Sequence, residues 1–305
     1  MDLNELYRKF GLKREPLSIK DEGERERIKQ EILTRIDKTM LSSDQQNIHQ
    51  ERRSKHLFPF LKIAAAVFFV VSAGMLTYNY IVKEHSKIEY LTFSAPKGKV
   101  IQLMLPDRSK VWLNAASTIK YPAHFSKNRD IYLVEGEAFF DVTHNPAKPF
   151  IVHTSSLSTR VLGTAFSVKS YNGLPTVTVT VERGKVRVDE NDKHLGTLTP
   201  DNQLIFEKKT HFVQNKIVNS SFASSWKKGD FILTGAYFSE VMLAISNRYN
   251  VEIIYDHKVF SNCQNSIHFT KNQSLSEVLS VLKEIQGINY SIKNNQIIIT
   301  GSPCK

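Results

Sequence analysis

One long apolar run constrains this chain more than any other feature of its sequence. Over residues 57–82 the only charged residue is Lys62. A helix of about twenty residues, rising about 1.5 Å per residue, crosses the roughly 30 Å hydrocarbon core of a bilayer. Tyr78 and Tyr80 stand near one end of the run, where aromatic rings favour the membrane interface. The run therefore predicts a single membrane-spanning helix over residues 57–82.

Two other interpretations of the run are weaker. A helix buried in a domain core is one alternative, but the run has no amphipathic pattern. A signal peptide would pair the basic residues at 52–55 with a cleavage site near Ser72-Ala73-Gly74, yet the apolar run continues past that site. Basic residues are denser before the run than after it, which predicts a cytoplasmic N-terminus.

The composition excludes some classes of function. The formal net charge is +11, but no long basic run and no nucleic-acid-binding motif accompanies it. Cys263 and Cys304 are the only cysteines, which is too few for a metal cluster. Either a disulfide between them or two free thiols fits the sequence. We therefore expect no direct nucleic-acid partner, no metal and no cofactor.

Residues 1–56, before the run, contain one clear amphipathic helix. Acidic residues crowd its start and Lys38 lies at its end, as the helix dipole favours. This segment has too few large apolar side chains to form a core of its own. We therefore expect it to bind a partner. The alternative is a solvated helix on a flexible tether. The apolar positions that recur at helical spacing are Ile28, Ile32, Leu33, Ile36 and Met40.

The rest of the chain predicts two domains. Residues 87–215 form a series of short runs rich in Val, Ile, Thr and aromatics, which predicts an all-β sandwich, barrel or solenoid. Residues 225–301 predict a small α+β domain in the order βαβ-βαββ. Ser274 and Glu277 form a capping box before its second helix. The predicted fold class is thus a single-span membrane protein with a short helical cytoplasmic segment, an all-β domain and a small α+β domain.

Several motifs resemble one known family. The stretches APKGKVIQLMLPDRSKVWLNAASTIKYP, RDIYLVEGEAFFDV, PFIVHT and VLGTAFSV are similar to the periplasmic domain of FecR-type anti-sigma factors. The stretch SSWKKGDFILTGAYFSEVMLAISNRYNVEIIYD resembles the C-terminal domain found in the Bacteroidetes branch of that family. That domain is related to the short module of secretins and TonB-dependent receptors.

The resemblance implies a regulator in the cell inner membrane, with its C-terminus in the periplasm, and no enzymatic activity. Its expected partners are an extracytoplasmic-function sigma factor, the signalling domain of a TonB-dependent outer-membrane receptor, and inner-membrane lipid. The sigma factor would bind the apolar helix positions named above and control nutrient-uptake genes. A departure from the family is Arg108, where the turn Leu-Pro-Asp-Gly-Ser has glycine; we expect a type I turn with Pro106 at its second position.

No catalytic constellation stands out in the sequence. Glu135, Glu137 and Asp141 indicate a solvated strand face more readily than paired catalytic acids. Gly163 and Thr164 are the one unusual pair, because a threonine hydroxyl beside a strained peptide can attack the preceding carbonyl and cleave the chain. The resemblance supports that idea, since some FecR-like proteins are thought to be processed in this way. The alternative is a β-bulge without chemistry.

Receptor contact is expected in the last domain, where an open sheet edge can accept an added strand. We treat Trp226 and Tyr237 as packing residues. Two other functions stay open: a periplasmic adaptor that docks to an outer-membrane channel, and a membrane-anchored glycan hydrolase. The candidate receptor-binding residues on the two edge strands are Val251, Ile253, Tyr255, Ile267 and Phe269.

Overall fold

The computed structural model separates the chain into two units, Met1–Lys87 and Ile88–Lys305, which are described one after the other. Side chains between 58 and 84 are described only over residues 63–78. The residues that the structure describes are 22–23, 26–35, 37–38, 58–84, 88–261 and 263–301.

Among the described residues of the first unit, 22–23, 26–35 and 37–38 are helical, and 26–35 is called α1 here. Helix α2 runs over Phe58–Glu84. Within the described residues no helix is long and apolar enough to cross a membrane. On this finding the predicted span over residues 57–82, and with it the single-span fold class, is wrong.

The second unit begins with an all-β domain, as predicted. Its strands form two layers that share one long strand, β5 (Arg129–Asp141). One layer has the order β1-β4-β5-β6-β7-β10-β11, and the other has the order β2-β3-β5-β8-β9-β12-β13. The other strands are β1 (Tyr90–Ala95), β2 (Ile101–Met104), β3 (Lys110–Leu113), β4 (Ser117–Pro122), β6 (Phe150–His153), β7 (Ser158–Val161), β8 (Ala165–Ser170), β9 (Thr176–Arg183), β10 (Val186–Glu190), β11 (Lys193–Leu198), β12 (Asn202–Glu207) and β13 (Val213–Ile217).

Strand β5 changes layer at Gly136. Before this residue β5 pairs with β4 and β6, and from it onward β5 pairs with β3 and β8. Gly136 has a φ of 111°, which strains any residue with a side chain. A Cβ there would lie 2.2 Å from Ser117 Oγ, an atom that accepts a hydrogen bond from the Glu137 N–H at 2.9 Å. The bend therefore requires glycine on steric grounds as well as conformational ones.

The core of this domain lies between the two layers. Strand alternation points one side chain in two inward, so Ile131 and Leu133 are buried in the first half of β5 and Phe140 in the second. The ring of Phe140 lies 5.2 Å from Phe166 and 5.9 Å from Phe150, measured between centroids. Such aromatic pairs contribute about 0.5–1.5 kcal/mol beyond the area that they bury.

A buried arginine organises the loops at one end of the sandwich. Arg129, at the start of β5, is 1% exposed and donates from Nη1 to Asp107 Oδ2 at 2.8 Å. The same nitrogen donates to the Thr143 carbonyl, and Nε donates to the Lys148 carbonyl, each at 2.8 Å. Its guanidinium also lies 5.4 Å from the centre of the Phe150 ring. One side chain thus joins the β2–β3 turn to the loop between β5 and β6.

The β2–β3 turn holds the carboxylate that pairs with this arginine. Asp107 also accepts from the Ser109 N–H at 3.0 Å and the Ser109 hydroxyl at 2.7 Å. The Arg108 N–H donates to the Leu105 carbonyl at 2.9 Å, which closes a four-residue turn with Pro106 at its second position. Arg108 takes a φ of 67°, a left-handed conformation that costs a non-glycine residue about 1–2 kcal/mol.

The second unit ends with a small α+β domain, reached through a short connection. The connection contains α3 (Ser220–Ala223) and a 3₁₀ turn (Ser225–Lys228). The domain has the predicted order βαβ-βαββ, and its strands form a β14–β16 pair and a β15-β18-β17 sheet. Its elements are β14 (Phe231–Tyr237), α4 (Phe238–Tyr249), β15 (Glu252–Ile254), β16 (Gln264–Phe269), α5 (Leu275–Gln286), β17 (Ile288–Lys293) and β18 (Gln296–Gly301).

Local signals in this domain act as the sequence indicates. The capping box forms: the Glu277 N–H donates to Ser274 Oγ, and the Ser274 N–H donates to the Glu277 carboxylate. Gly287 ends α5 with a φ of 64°. Cys263 is buried and disulfide-bonded, and Cys304 lies outside the described residues. The proposed boundaries at 1–56, 57–82, 87–215 and 225–301 stay predictions.

Replacing Asp107 by alanine tests the arginine cluster. The change leaves a buried guanidinium without its carboxylate, so we expect the free energy of unfolding to fall by about 3–5 kcal/mol. Urea denaturation of the purified chain measures it. Asp141→Ala is the matched control, because Asp141 pairs with Arg183 at 2.8 Å where both side chains are exposed. That loss should stay below about 1 kcal/mol; equal losses in the two variants would contradict the role given to Arg129.

Candidate functional site

The two domains of the second unit meet along helix α4. The Gly98 N–H donates to the Asn247 carbonyl at 2.7 Å, and Lys97 Nζ donates to Ser246 Oγ at 3.1 Å. Glu240 and Leu243 lie on the same side of the helix as Asn247, because residues three, four and seven apart share a helix face. The opposite side of α4 packs into its own domain through Val241, Met242 and Ile245. Helix α4 therefore has two occupied faces, one for its own core and one for the neighbouring domain.

A charge cluster lies at the centre of this contact. Lys169 of β8 forms an ion pair with Glu240 of α4, and each side chain is about one-fifth exposed, 21% and 22%. Glu137 of β5 stands opposite Lys169 in the strand register. The Glu137 carboxylate accepts from Asn114 Nδ2 at 2.8 Å. One lysine of the all-β domain thus lies between a carboxylate of its own domain and one of the next domain.

The pKa values in the cluster follow from burial and charge. Burial lowers the pKa of Lys169, but attraction to Glu240 and Glu137 outweighs it, so this pKa is raised above its usual value. The stabilisation from Lys169 is therefore complete at neutral pH and is lost only as the pH rises through the raised pKa. Burial raises the pKa of Glu137 despite the opposing effects of Lys169 and Asn114. Its contribution to stability is present at acidic pH and is lost as the pH rises through that raised value.

A second set of contacts supports the loop between β8 and β9, which lies beneath α4. The Tyr171 hydroxyl donates to the Ala115 carbonyl at 2.8 Å, and burial raises the pKa of Tyr171. Lys208 Nζ donates to the carbonyls of Tyr171 and Leu174, each at 2.7 Å, and burial lowers the pKa of Lys208. A Cβ at Gly173 would lie 3.9 Å from Leu243 of α4. The β8–β9 loop, which lies against α4, is thus held in place by hydrogen bonds within its own domain.

The connection between the domains lies on the outer face of the second layer. Trp226 is buried there against Phe139 and Ala165. Lys227 Nζ lies 3.2 Å from the centre of the Phe139 ring and 5.3 Å from that of Trp112. These contacts are close enough for cation–π attraction, and burial lowers the pKa of Lys227. The placement of Trp226 agrees with its predicted packing role, whereas Tyr237, for which the same role was predicted, is 46% exposed.

A cleft of about 1280 Å³ opens beside this contact. Its floor is the outer face of the second layer, and one wall is strand β14. Lys169, Glu240 and Tyr171 also line it. In the part of the chain that the structure describes, no group of three or more His, Cys, Asp or Glu side chains is arranged to hold a metal ion.

Gly163 and Thr164 lie in a tight turn between β7 and β8. Thr164 is 2% exposed, and its hydroxyl donates to the Lys185 carbonyl at 3.0 Å. A Cβ at Gly163 would lie 2.6 Å from the Cα of His144, so close packing alone requires glycine there. The hydroxyl that self-cleavage would need is thus engaged with another carbonyl, and cleavage stays a prediction.

The predicted sigma-factor residues fall partly within the described chain. Ile28, Ile32 and Leu33 lie in α1, where Ile28 is half-buried and the other two are 38% and 51% exposed. Ile36 and Met40 lie outside the described residues. An exposed apolar pair on a short helix is consistent with a binding surface, and sigma-factor binding stays a prediction.

The five predicted receptor-binding residues all face inward to some degree. Val251, Ile267 and Phe269 are buried, and Ile253 and Tyr255 pack partly buried against the same core. Ile253 lies in β15, and Ile267 and Phe269 lie in β16, while Val251 and Tyr255 flank β15. Both strands are nevertheless sheet edges, since β15 pairs only with β18 and β16 only with β14 among the described strands. A receptor bound at these strands would therefore contact main-chain atoms and the outward-facing side chains that alternate with the five predicted residues.

Sequence reasoning missed the exposed residues that alternate with the five predicted ones, and it missed the charge cluster around Lys169. Ile254 is 44% exposed and stands opposite Ile298 of β18, itself 42% exposed. The alternation of VEIIYD contained this signal, because Glu252 marks the outward face and Ile254 shares it. No sequence signal pairs Lys169 with Glu240, which stand 71 positions apart in the chain.

Comparisons with known proteins agree with the resemblance. A family model described as FecR protein matches residues 92–187, and one described as FecR, C-terminal matches residues 230–299. Two crystal structures of a proposed anti-sigma factor from Parabacteroides distasonis ATCC 8503 are 30% identical to this chain, each with a TM-score of 0.66. The similarity covers 70% of this chain and 100% or 99% of theirs. No curated protein matches the chain.

Replacing Glu240 by glutamine tests the domain contact. The change removes one of the two charges that compensate Lys169, so α4 should separate from the all-β domain more often. We expect the Gly98 amide, whose N–H crosses the contact, to exchange with deuterium about tenfold faster at neutral pH, as about 1.4 kcal/mol would produce. Glu252→Gln, at an exposed glutamate of β15, is the control and should leave this exchange unchanged. An unchanged rate in Glu240→Gln would show that the ion pair does not hold the contact.

Proposed function

We propose a function from one premise: the chain belongs to the FecR family and is an anti-sigma factor. The observation that carries the proposal is the match to both FecR models in chain order, joined to a relative whose whole length this chain covers. We propose that the chain binds an extracytoplasmic-function sigma factor and responds to a TonB-dependent receptor. The described domains would then form the sensing part, and the N-terminal segment the output.

The exposed apolar residues of α1 support the sigma-factor part of the proposal. Ile32 and Leu33 are neighbours on a helix whose other described side chains are mostly charged and exposed. The Lys29–Glu26 and Arg35–Glu31 pairs, at 3.4 and 3.3 Å, satisfy charges on the helix without covering these two residues. A sigma factor that buries both side chains would gain free energy from each, though less than the roughly 1.5–3 kcal/mol of a fully exposed side chain.

The C-terminal domain supports the receptor part of the proposal. Strand β15 offers an open edge, and Ile254 with Ile298 forms an exposed apolar pair on the face beside it. A receptor signalling domain of similar architecture would add a strand to β15 and cover that pair. Regulation of nutrient-uptake genes follows from the proposed receptor, and the periplasmic location of the two described domains stays a prediction.

The hydrolase alternative receives no such support. Paired acids in a cleft would need one carboxyl free to protonate a glycosidic oxygen. Glu137 accepts from Asn114 and faces Lys169, while Glu240 is paired with the same lysine. Two of the three carboxylates that line the cleft, Glu137 and Glu240, are therefore engaged at the contact between the domains.

Replacing Leu33 by aspartate tests the output segment. A charge in the buried centre of the complex should weaken sigma-factor binding at least about tenfold, since a buried unpaired charge costs several kcal/mol. Co-purification of the cognate extracytoplasmic-function sigma factor with the full chain measures it. Gln30→Asp, at an exposed polar position of the same helix, controls for charge alone. Equal binding by the two variants would remove α1 from the proposal.

Replacing Ile254 by arginine tests receptor contact. A long charged side chain beside the β15 edge should reduce capture of the full chain by the receptor signalling domain at least about tenfold. Ile285→Arg, at a 55% exposed position of α5, is the matched control because it makes the same change away from β15. Capture that survives Ile254→Arg but fails in Ile285→Arg would place the receptor on the helical face instead.

A further inference from the structure

Strand β14 presents an open edge to the cleft. All seven consecutive residues from Phe231 to Tyr237 line the cleft. A strand that offered one face would contribute only alternate residues, because successive side chains point to opposite faces. On its other side β14 pairs with β16, and it has no second partner among the described strands. The main-chain groups of the free side of β14 therefore face the cleft.

The floor of the cleft is the face of a sheet. Unlike β14, the strands of the floor contribute only alternate residues. From β9 it receives Thr176, Thr178 and Thr180, and from β12 it receives residues 203, 205 and 207, alternate positions in each case. Ile205 and the threonine methyl groups give this floor apolar contact area. Gln203 Nε2 donates to Thr180 Oγ1 at 2.9 Å, so part of its polar surface is already satisfied. A strand paired with β14 would lay every second side chain on this floor.

The size of the cleft favours a peptide over a small molecule. Small-molecule sites commonly occupy roughly 300–1,000 Å³, and this cleft exceeds that range at about 1280 Å³. An extended chain that follows all seven residues of β14 would measure about 23 Å at about 3.3 Å per residue. The open edge and the volume thus call for the same kind of occupant, an extended segment of about seven residues.

The charges around the cleft define the chemistry of that segment. Lys99, Lys216 and Lys271 line the cleft and are exposed. The acidic residues that line it are Glu137, Glu207 and Glu240, and each of them is at least partly buried. A bound segment therefore meets an exposed rim that is positive. Large apolar side chains also reach solvent there, including Phe212 at 65% and Ile217 at 88% exposure.

From these observations we propose that the cleft binds an extended peptide segment of a partner protein, acidic on one face and apolar on the other, as a strand added to β14. Its apolar side chains lie on the floor at Ile205, and its acidic side chains meet the lysines of the rim. This site is separate from the receptor contact proposed above, which uses β15. Evidence against receptor contact at β15 would therefore leave the proposal for β14 unchanged.

The test uses a fluorescein-labelled nine-residue peptide of alternating valine and glutamate, and the full chain. We expect it to bind at least about tenfold more tightly than the same peptide with lysine in place of glutamate, as charge complementarity requires. The double variant Lys216→Glu with Lys271→Glu should weaken binding of the glutamate peptide at least about tenfold. Lys193→Glu, at an exposed lysine of β11 in the other layer, is the matched control and should change nothing. Fluorescence anisotropy measures the affinity of each peptide for the unmodified chain and for both variants.

Backbone methylation separates strand pairing from attraction by charge alone. Alternate N–H groups of a strand point to opposite edges, so methylating the valine nitrogens and methylating the glutamate nitrogens block different edges. We expect one of these peptides to lose binding at least about tenfold and the other to bind like the unmodified peptide. Equal binding by both methylated peptides, or equal binding of the glutamate and lysine peptides, would overturn the proposal.

Discussion

The buried contact between Arg129 and Asp107 is the interaction on which the all-β domain depends most. A guanidinium that is 1% exposed is stable only when its hydrogen bonds are satisfied, and here turn, loop and ring contacts surround it. The cost of burying the charge is recovered only if all of these segments are in place together. The arrangement therefore links the correct folding of the β2–β3 turn to that of the loop after β5, although they are distant in sequence.

The same strand that begins with Arg129 ends in the contact between the domains. Glu137 lies one residue beyond the bend in β5 and stands opposite Lys169, which pairs with Glu240 of α4. A shift of α4 changes the charge that Lys169 compensates, and so changes how well Glu137 is tolerated inside the domain. A movement of the C-terminal domain would therefore act first on β5 and β8, two neighbouring strands of the second layer.

Much of this architecture could be predicted from local patterns, and the rest depends on contacts that no local pattern contains. Alternating apolar residues predict both domains, and Ser274 with Glu277 predicts the start of α5, because these signals act within a few residues. The membership of β5 in both layers, and the Lys169–Glu240 pair, depend on which distant segments of the chain meet in the fold. For the receptor site, the alternation of VEIIYD places Glu252 and Ile254 on one face, and in the structure Val251 is buried while Ile254 is exposed. The apolar run predicts a membrane span that the described helix does not provide.

The bend at Gly136 has a mechanical consequence. In a sandwich whose layers only pack together, a pull on one layer is resisted by side-chain contacts that can slide. Here the load would pass from one layer to the other along the peptide bonds of β5 itself, between its pairing with β8 and its pairing with β6. Tension that pulls the two layers apart would therefore be carried by the backbone of β5 as well as by the apolar contacts between the layers.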